Sequence, residues 1–440
     1  MLFSLLSGLV ASCRTTRTAM QIGPESAQPS SQPPETEKAM GAGPYNHHSS
    51  PLDETQSTPR FGVVLLHGFM NVATEVDPIA ASLRDAFGPD VLLIQPSCRE
   101  QTKSLTRCLE GQAKDVFKTI ERILQQANQS AGSFPLFIVG YSHGGLVGCT
   151  LAQKQGNKLN IKGIMTINSP LGGVPVLQRT TTDVREFIRD AAEGWAILTQ
   201  ILPDRYEERF GYTTRSGRSY QPRTLRSIEQ DMLQMTRGLQ LGVRLTQFLP
   251  NWMTNSFMGG GKSLLPDDVS VRNVRRFLRE DQYTIPCMLL GSYQDDFGSL
   301  FDVDPAHAEP MQQFTKAYAK FVAGNVDEKH DTLIPLRSQL CRGPSFESLP
   351  TADPNKSWMV QDLPGRPHIQ THIYEGVTHA GNLMVLDDRL FVTGSGIQTL
   401  PAARSVLKRV VSFVQEHTDT RSNTHEANAT HEHTVSFRGV

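Results

Sequence analysis

The chain has 440 residues, of which 38% are hydrophobic, and a formal net charge of -1. This length exceeds what one compact core usually holds, so we expect one large domain with an insertion and polar ends. The near-zero charge gives no sign of a broad basic surface, which excludes nucleic acid as the expected partner.

Both ends of the chain have compositions that are typical of segments outside a folded core. The first thirteen residues form an apolar run that is too short to span a bilayer, and Val10–Cys13 resembles the lipobox of bacterial lipoproteins. Export with lipidation of Cys13 and an uninformative N-terminus both remain open, because no basic region precedes the run. We therefore assign residues 1–58 to a signal-like start with a disordered leader, and residues 418–440 to a disordered tail.

Residues 59–417 alternate short apolar runs with amphipathic stretches. The predicted strands are 62–66, 91–94, 134–139, 161–167, 285–290 and 372–374, and the predicted helices include 78–87, 104–126, 146–152 and 400–415. This alternation predicts an α/β fold with a mostly parallel central sheet flanked by helices.

The interval 174–284 interrupts the alternation and has helical patterns over 184–202 and 225–249, without a convincing strand. We predict a helical cap or lid insertion here. An apolar stripe between 225 and 258 has two interpretations: it packs on its own domain, or it forms the face of a lid that meets lipid when the lid opens. The second interpretation makes a membrane surface a candidate partner.

The segment Gly140–Gly145 reads Gly-Tyr-Ser-His-Gly-Gly, directly after a predicted strand and directly before a predicted helix. This is the pattern of a nucleophile elbow, G-x-S-x-G. The serine occupies a strained turn, and the glycines two positions before and after it let strand and helix approach without Cβ clashes. Ser142 is therefore the predicted nucleophile.

Two further motifs carry a family resemblance. Leu66–Phe69, at the end of the first strand, is similar to the His-Gly turn of lipases and related α/β-hydrolases, and Thr166–Gly173 is similar to the T-x-x-x-P-x-x-G signature of many lipases. Together with the elbow, they resemble the bacterial triacylglycerol lipases and their esterase and thioesterase relatives. The resemblance implies an α/β-hydrolase fold, with an oxyanion hole formed by the N–H groups of Phe69 and His143.

A serine hydroxyl needs a histidine to take its proton and an acid to orient that histidine, and the α/β-hydrolase chain order is Ser, acid, His. His379 is the predicted base, because it follows the last strand on a short loop. His330 is harder to exclude, whereas His368 and His372 lie before or within the strand and are interpreted as structural.

Two candidates for the acid follow the strand at 285–290. One is the pair Asp295 and Asp296; the other is Asp331, whose context His-Asp-Thr-Leu-Ile-Pro-Leu-Arg-Ser resembles the acid-bearing segment of bacterial lipases. We favour Asp331 and interpret 297–328 as an insertion before the acid loop. Calcium binding by the acidic loop at 295–304 is the alternative to a solvated loop; we favour the solvated loop and predict no metal site.

The predicted activity is that of a serine hydrolase cleaving carboxylic ester bonds, with a lipid or other acyl ester as substrate, by a Ser-His-Asp mechanism that needs no cofactor. An acyl-protein thioesterase or a phospholipase would carry the same three residues. A non-catalytic lipid-binding protein on a hydrolase fold is the alternative from another class.

Overall fold

The computed structural model describes residues 58–210, 233, 259–279, 284–294, 296–301, 303–341, 358–360, 368–375, 379, 383–386, 389–392 and 406–418. Several predicted features lie outside these residues: the lipobox with Cys13, the leader up to residue 57, the apolar stripe of the cap, and almost all of the C-terminal tail. Those assignments, the lid included, remain predictions.

The core of the fold is a seven-stranded sheet in which all strands except β6 run parallel. The strands are β1 (Phe61–Leu66), β2 (Val91–Ile94), β3 (Pro135–Tyr141), β4 (Asn160–Ile167), β5 (Cys287–Tyr293), β6 (Trp358–Val360) and β7 (Ile369–Glu375). They lie in the order β2-β1-β3-β4-β5-β7-β6, with β6 antiparallel to β7 at one edge. Strands β8 (Leu383–Leu386) and β9 (Arg389–Val392) form a separate antiparallel hairpin.

Helices connect most of the strands. They are α1 (Asp77–Phe87), α2 (Thr102–Thr106), α3 (Leu109–Gln126), α4 (His143–Gln155), α5 (Thr181–Phe210), α6 (Val269–Arg279), α7 (Phe297–Phe301), α8 (Ala308–Ala323), α9 (Leu336–Gln339) and α10 (406–418). The predicted α/β class is confirmed. The prediction of a single helix at 104–126 is wrong, because extended backbone at Arg107 and Cys108 separates two helices, α2 and α3.

The sheet separates two hydrophobic layers. On β1, Val64 and Leu66 face a core formed with α3 and α4, whereas Val63 and Leu65 face a second core with α1 and α10. All six residues of β1 are buried, as expected for a parallel strand covered by helices on both faces.

Helices α5 and α8 pack on each other and bury an aromatic cluster of their own. Phe187 of α5 stacks on Phe321 of α8 at a centroid distance of 4.8 Å, and Trp195 lies 6.3 Å from Phe314. The helix predicted at 184–202 therefore lies within α5, and α8 forms half of the stretch 297–328 that was interpreted as an insertion before the acid loop. None of the described helices is both long enough and apolar enough to cross a membrane.

Candidate active site

The turn between β3 and α4 presents Ser142 at the carboxyl edge of the sheet. Ser142 has φ +52° and ψ −127°, a backbone conformation that a residue with a side chain rarely adopts. A Cβ added to Gly140 would lie 2.5 Å from backbone atoms of Gly144 and Gly145, and one added to Gly144 would lie 2.2 Å from the carbonyl oxygen of Leu66. The glycines thus permit the close approach of strand and helix that the strained turn requires.

The structure brings Ser142, His379 and Asp331 into one hydrogen-bonded chain. Ser142 Oγ lies 2.9 Å from His379 Nε2, and His379 Nδ1 lies 2.7 Å from Asp331 Oδ2. His379 and Asp331 are fully buried, and Ser142 is 5% exposed. We assign the proton of the neutral imidazole to Nδ1, since a carboxylate can only accept there, so that Nε2 accepts from the serine hydroxyl.

Hydrogen bonds from several segments fix the carboxylate of Asp331. Its Oδ1 accepts from the backbone N–H groups of Leu333 (3.0 Å) and Ile334 (2.7 Å). Its Oδ2 accepts from Asn168 Nδ2 at 2.9 Å as well as from His379, and the His379 N–H donates to the carbonyl of Asp331 at 2.6 Å. These contacts give hydrogen-bond donors to both oxygens of a carboxylate that is fully buried.

The competing acid candidate, Asp296, makes different contacts. Its Oδ1 accepts from two backbone N–H groups at the start of α7, at 2.9 and 3.2 Å, and the structure gives it no hydrogen bond to His379. Asp295 lies outside the described residues. Of the two described candidates, Asp331 is therefore the one that contacts the histidine.

The sequence offers three other candidate histidines, whose described contacts are with residues other than Ser142. His330 Nδ1 accepts from the Thr332 N–H at 3.2 Å, and its ring lies 5.6 Å from that of Tyr318. The carbonyl of His368 accepts a backbone hydrogen bond that joins β7 to β5. His372 is buried within β7, and burial lowers its pKa to about 4.

The two N–H groups assigned to the oxyanion hole are without an acceptor among the described residues. On either side of Phe69, the Gly68 N–H donates to Glu75 Oε2 at 2.6 Å and the Met70 N–H donates to Ser104 Oγ at 2.8 Å. A Cβ added to Gly68 would lie 3.4 Å from Ser142 Cβ, so this loop adjoins the nucleophile. The second N–H, of His143, is the first of α4, where the helix dipole favours negative charge.

A buried arginine that the sequence analysis did not identify joins the two segments of this hole. Arg99, in the loop after β2, donates to the His67 carbonyl (2.8 Å), His143 Nδ1 (3.0 Å) and Gln112 Oε1 (3.2 Å). Burial lowers the pKa of Arg99 to about 10. Burial, and then the charge of Arg99, lower the pKa of His67 to about 4 and that of His143 well below its usual value, so both imidazoles are neutral at pH 7.

Two more residues near the site were not assigned a role from the sequence. Asn168, directly after β4, was part of the quoted 166–173 motif, and its signal was a polar side chain at the carboxyl edge of the sheet. Glu75 lies in a 3-10 turn before α1, and no sequence signal distinguishes it from other acidic residues. Burial raises the pKa of Glu75, whereas hydrogen bonds from Gly68 and Asn71 act in the opposite direction.

The described part of the acidic loop offers no group of three side chains placed to hold a metal ion. Asp296 and Asp304 instead accept hydrogen bonds from backbone N–H groups of the next few residues. Asp295 and Asp302, the other two residues of the calcium alternative, lie outside the described residues.

No protein-family model matches the sequence. No curated protein matches it either. Among solved structures, MenH from S. aureus is 11% identical and has a TM-score of 0.32, with 82% of this chain and 96% of that chain covered. A highly thermostable carboxyl esterase from Bacillus coagulans is 11% identical with a TM-score of 0.30, covering 82% of this chain and 91% of that one. Phospholipase PlaB from Legionella pneumophila is 10% identical with a TM-score of 0.32, covering 64% of this chain and 46% of that one.

These identities and TM-scores are too low to indicate a shared activity. The fold is therefore assigned from the topology of this chain alone. Six parallel strands carry helices on both faces, and the third strand in chain order ends in a strained serine turn that leads directly into a helix. The histidine follows the last parallel strand, and a buried aspartate lies between serine and histidine in the chain. This order is that of the α/β-hydrolases, and the chain has the α/β-hydrolase fold.

Proposed function

We propose that this protein is a serine hydrolase that cleaves carboxylic ester bonds, with Ser142 as nucleophile, His379 as general base and Asp331 as the acid that orients it. The observation that carries the proposal is the buried hydrogen-bonded chain from Ser142 Oγ through His379 to Asp331, with distances of 2.9 and 2.7 Å. A serine hydroxyl paired with an oriented imidazole is the arrangement that acyl transfer needs.

In the first half of the reaction, Ser142 Oγ attacks the acyl carbonyl carbon while His379 Nε2 takes the hydroxyl proton. The carbonyl oxygen becomes an oxyanion, which accepts hydrogen bonds from the N–H groups of Phe69 and His143. His379 then gives its proton to the alkoxide of the leaving alcohol as the C–O bond breaks, and the acyl group stays on Ser142.

In the second half, a water molecule gives a proton to His379 and attacks the acyl carbon. The Ser142 ester bond breaks, the carboxylic acid leaves, and the proton on His379 returns to Oγ. Asp331 remains a carboxylate throughout and stabilises the imidazolium that forms in each half. The fixed contacts to Leu333, Ile334 and Asn168 keep that carboxylate in place.

We extend the proposal to lipid esters on sequence grounds. The motif at 166–173 resembles that of lipases, and the predicted cap carries an apolar stripe whose residues lie outside the described part of the chain. In the same way, contact of the cap with a membrane surface remains a proposal.

The test is hydrolysis of p-nitrophenyl esters from acetate to palmitate, with and without detergent, by the wild type and by Ser142→Ala. Ser130→Ala, a change of an exposed serine, is the matched control. We expect activity in the wild type and the control and none in Ser142→Ala, with the chain-length profile separating short-chain esterase from lipase. Wild-type protein that is folded but inactive on every ester would overturn the proposal and favour the lipid-binding alternative. Activity that survives in Ser142→Ala would overturn the assignment of Ser142 as the nucleophile.

A further inference from the structure

We propose that Glu75 is a positioning residue for the oxyanion hole, and that its carboxylate holds the Gly68 amide so that the next amide, of Phe69, faces Ser142. This inference rests on the proposed function, because it assigns a role within the same site. Glu75 makes no hydrogen bond to Ser142 or His379 in the structure and acts through the loop.

The contact is made by a side chain that reaches back over the oxyanion loop. Glu75 Oε2 accepts from the Gly68 N–H at 2.6 Å, and Oε1 accepts from Asn71 Nδ2. Asn71 in turn accepts from the Val72 N–H at 2.9 Å through its Oδ1, which fixes which end of its amide faces Glu75. The carboxylate therefore bridges two points of the loop that carries Phe69.

The backbone conformation of Gly68 needs a contact that fixes it. Glycine has the greatest backbone freedom of any residue, and the direction of the Phe69 N–H depends on the two torsion angles of Gly68. A Cβ at this position would lie 3.0 Å from Glu75 Oε2 and 3.4 Å from Ser142 Cβ, so the close packing between nucleophile and carboxylate favours glycine. The hydrogen bond to the Glu75 carboxylate limits the backbone torsion angles that Gly68 can adopt.

Burial has the largest effect on the pKa of Glu75 and raises it, whereas the hydrogen bonds from Gly68 and Asn71 lower it. The charges of His379 and Arg99 both act on it attractively when they are positive. His379 becomes positive only when it has taken the serine proton, so the attraction to Glu75 is largest in the tetrahedral intermediate.

Three substitutions at Glu75 separate the hydrogen bond from the charge. Glu75→Gln keeps a carbonyl oxygen that can accept from Gly68, but it removes the charge and turns its NH2 group toward Asn71 Nδ2, from which it cannot accept. Glu75→Met has similar length and neither property, and Glu75→Asp keeps the charge but is one methylene too short to reach. Asp77→Asn is the matched control, since Asp77 is exposed and its carboxylate accepts from Gln95.

We expect kcat on a p-nitrophenyl ester to fall about tenfold to 100-fold in the Met and Asp variants, because deleting an oxyanion donor outright costs about 100-fold to 1000-fold. KM should stay within about threefold of the wild-type value, since the hydrogen bond to the oxyanion exists only in the transition state. The Gln variant should retain a kcat clearly above both, and the control should match the wild type. Thermal melts check that each variant is folded.

If the Met variant has the same kcat as the Gln variant, or if the Asp variant is as active as the wild type, the inference is wrong. If the Asp variant does not fold, the comparison of the two neutral variants still decides. These outcomes differ from failure of the proposed function, in which the wild type itself is inactive or Ser142→Ala retains activity.

Discussion

Replacing Asp331 by Asn tests the assignment of the acid directly. Two backbone N–H groups, of Leu333 and Ile334, point at Oδ1, so the oxygen of the new amide must take that position. The new NH2 group then replaces Oδ2 and faces His379 Nδ1, to which it can only donate. The imidazole must therefore carry its proton on Nε2, where it can no longer accept from Ser142.

The same loss of the correct tautomer in a serine protease triad lowers kcat about 10⁴-fold, or about 5.5 kcal/mol of barrier. We expect a comparable fall here, because Asp331 and His379 are both fully buried and no water can replace the lost contact. Substrate binding should change little, since neither group is proposed to bind the ground-state ester.

The assay is steady-state hydrolysis of p-nitrophenyl butyrate at neutral pH, with Asp296→Asn as the matched control. The control removes the same charge from the rival candidate, whose carboxylate accepts only from groups of its own loop in the described contacts. The reasoning fails if Asp331→Asn keeps more than about a tenth of the wild-type kcat while folded, or if Asp296→Asn loses as much.

Two predictions concern stability. Gly144→Ala places a Cβ 2.2 Å from the Leu66 carbonyl oxygen, where only backbone can move, and should lower the free energy of unfolding in urea by about 3 kcal/mol or more. In the control Gly132→Ala, the nearest neighbour of the new Cβ would be 3.8 Å away, and the loss should be under about 1 kcal/mol. Equal losses in the two variants would contradict this explanation. His372, whose pKa burial lowers to about 4 from 6.5, binds a proton more readily when unfolded, so wild-type stability should fall as pH drops from about 6.5 toward 4. His372→Leu removes that titrating group, so the free energy of unfolding, measured by urea titrations at several pH values, should depend less steeply on pH than in the wild type. An unchanged pH dependence would refute the assignment.

Much of the fold could be predicted because parallel strands covered on both faces are continuous apolar runs, as in β1, where all six residues are buried. The break between α2 and α3 could not be predicted, and a segment distant in the chain packs against it. A Cβ on Gly260 would lie 1.7 Å from the Ser104 carbonyl oxygen, and one on Gly259 would lie 2.7 Å from the Cys108 amide nitrogen. The backbone at 259–260 thus packs against the junction of α2 and α3, and the helical spacing of apolar residues over 104–126 does not indicate this contact.

The same distinction separates the site residues that motifs indicate from those that they miss. Ser142 could be predicted because a strained turn imposes glycines on its immediate neighbours in the chain. Asn168 and Arg99 contact residues of the proposed acid and oxyanion hole, Asp331 and His143, which lie 163 and 44 residues away in the chain. Such contacts depend on which segments meet at the edge of the folded sheet, so they produce no pattern of spacing in the sequence. Residues that tune this site should therefore be sought among buried polar side chains at the carboxyl ends of the strands, where burial itself demands a partner.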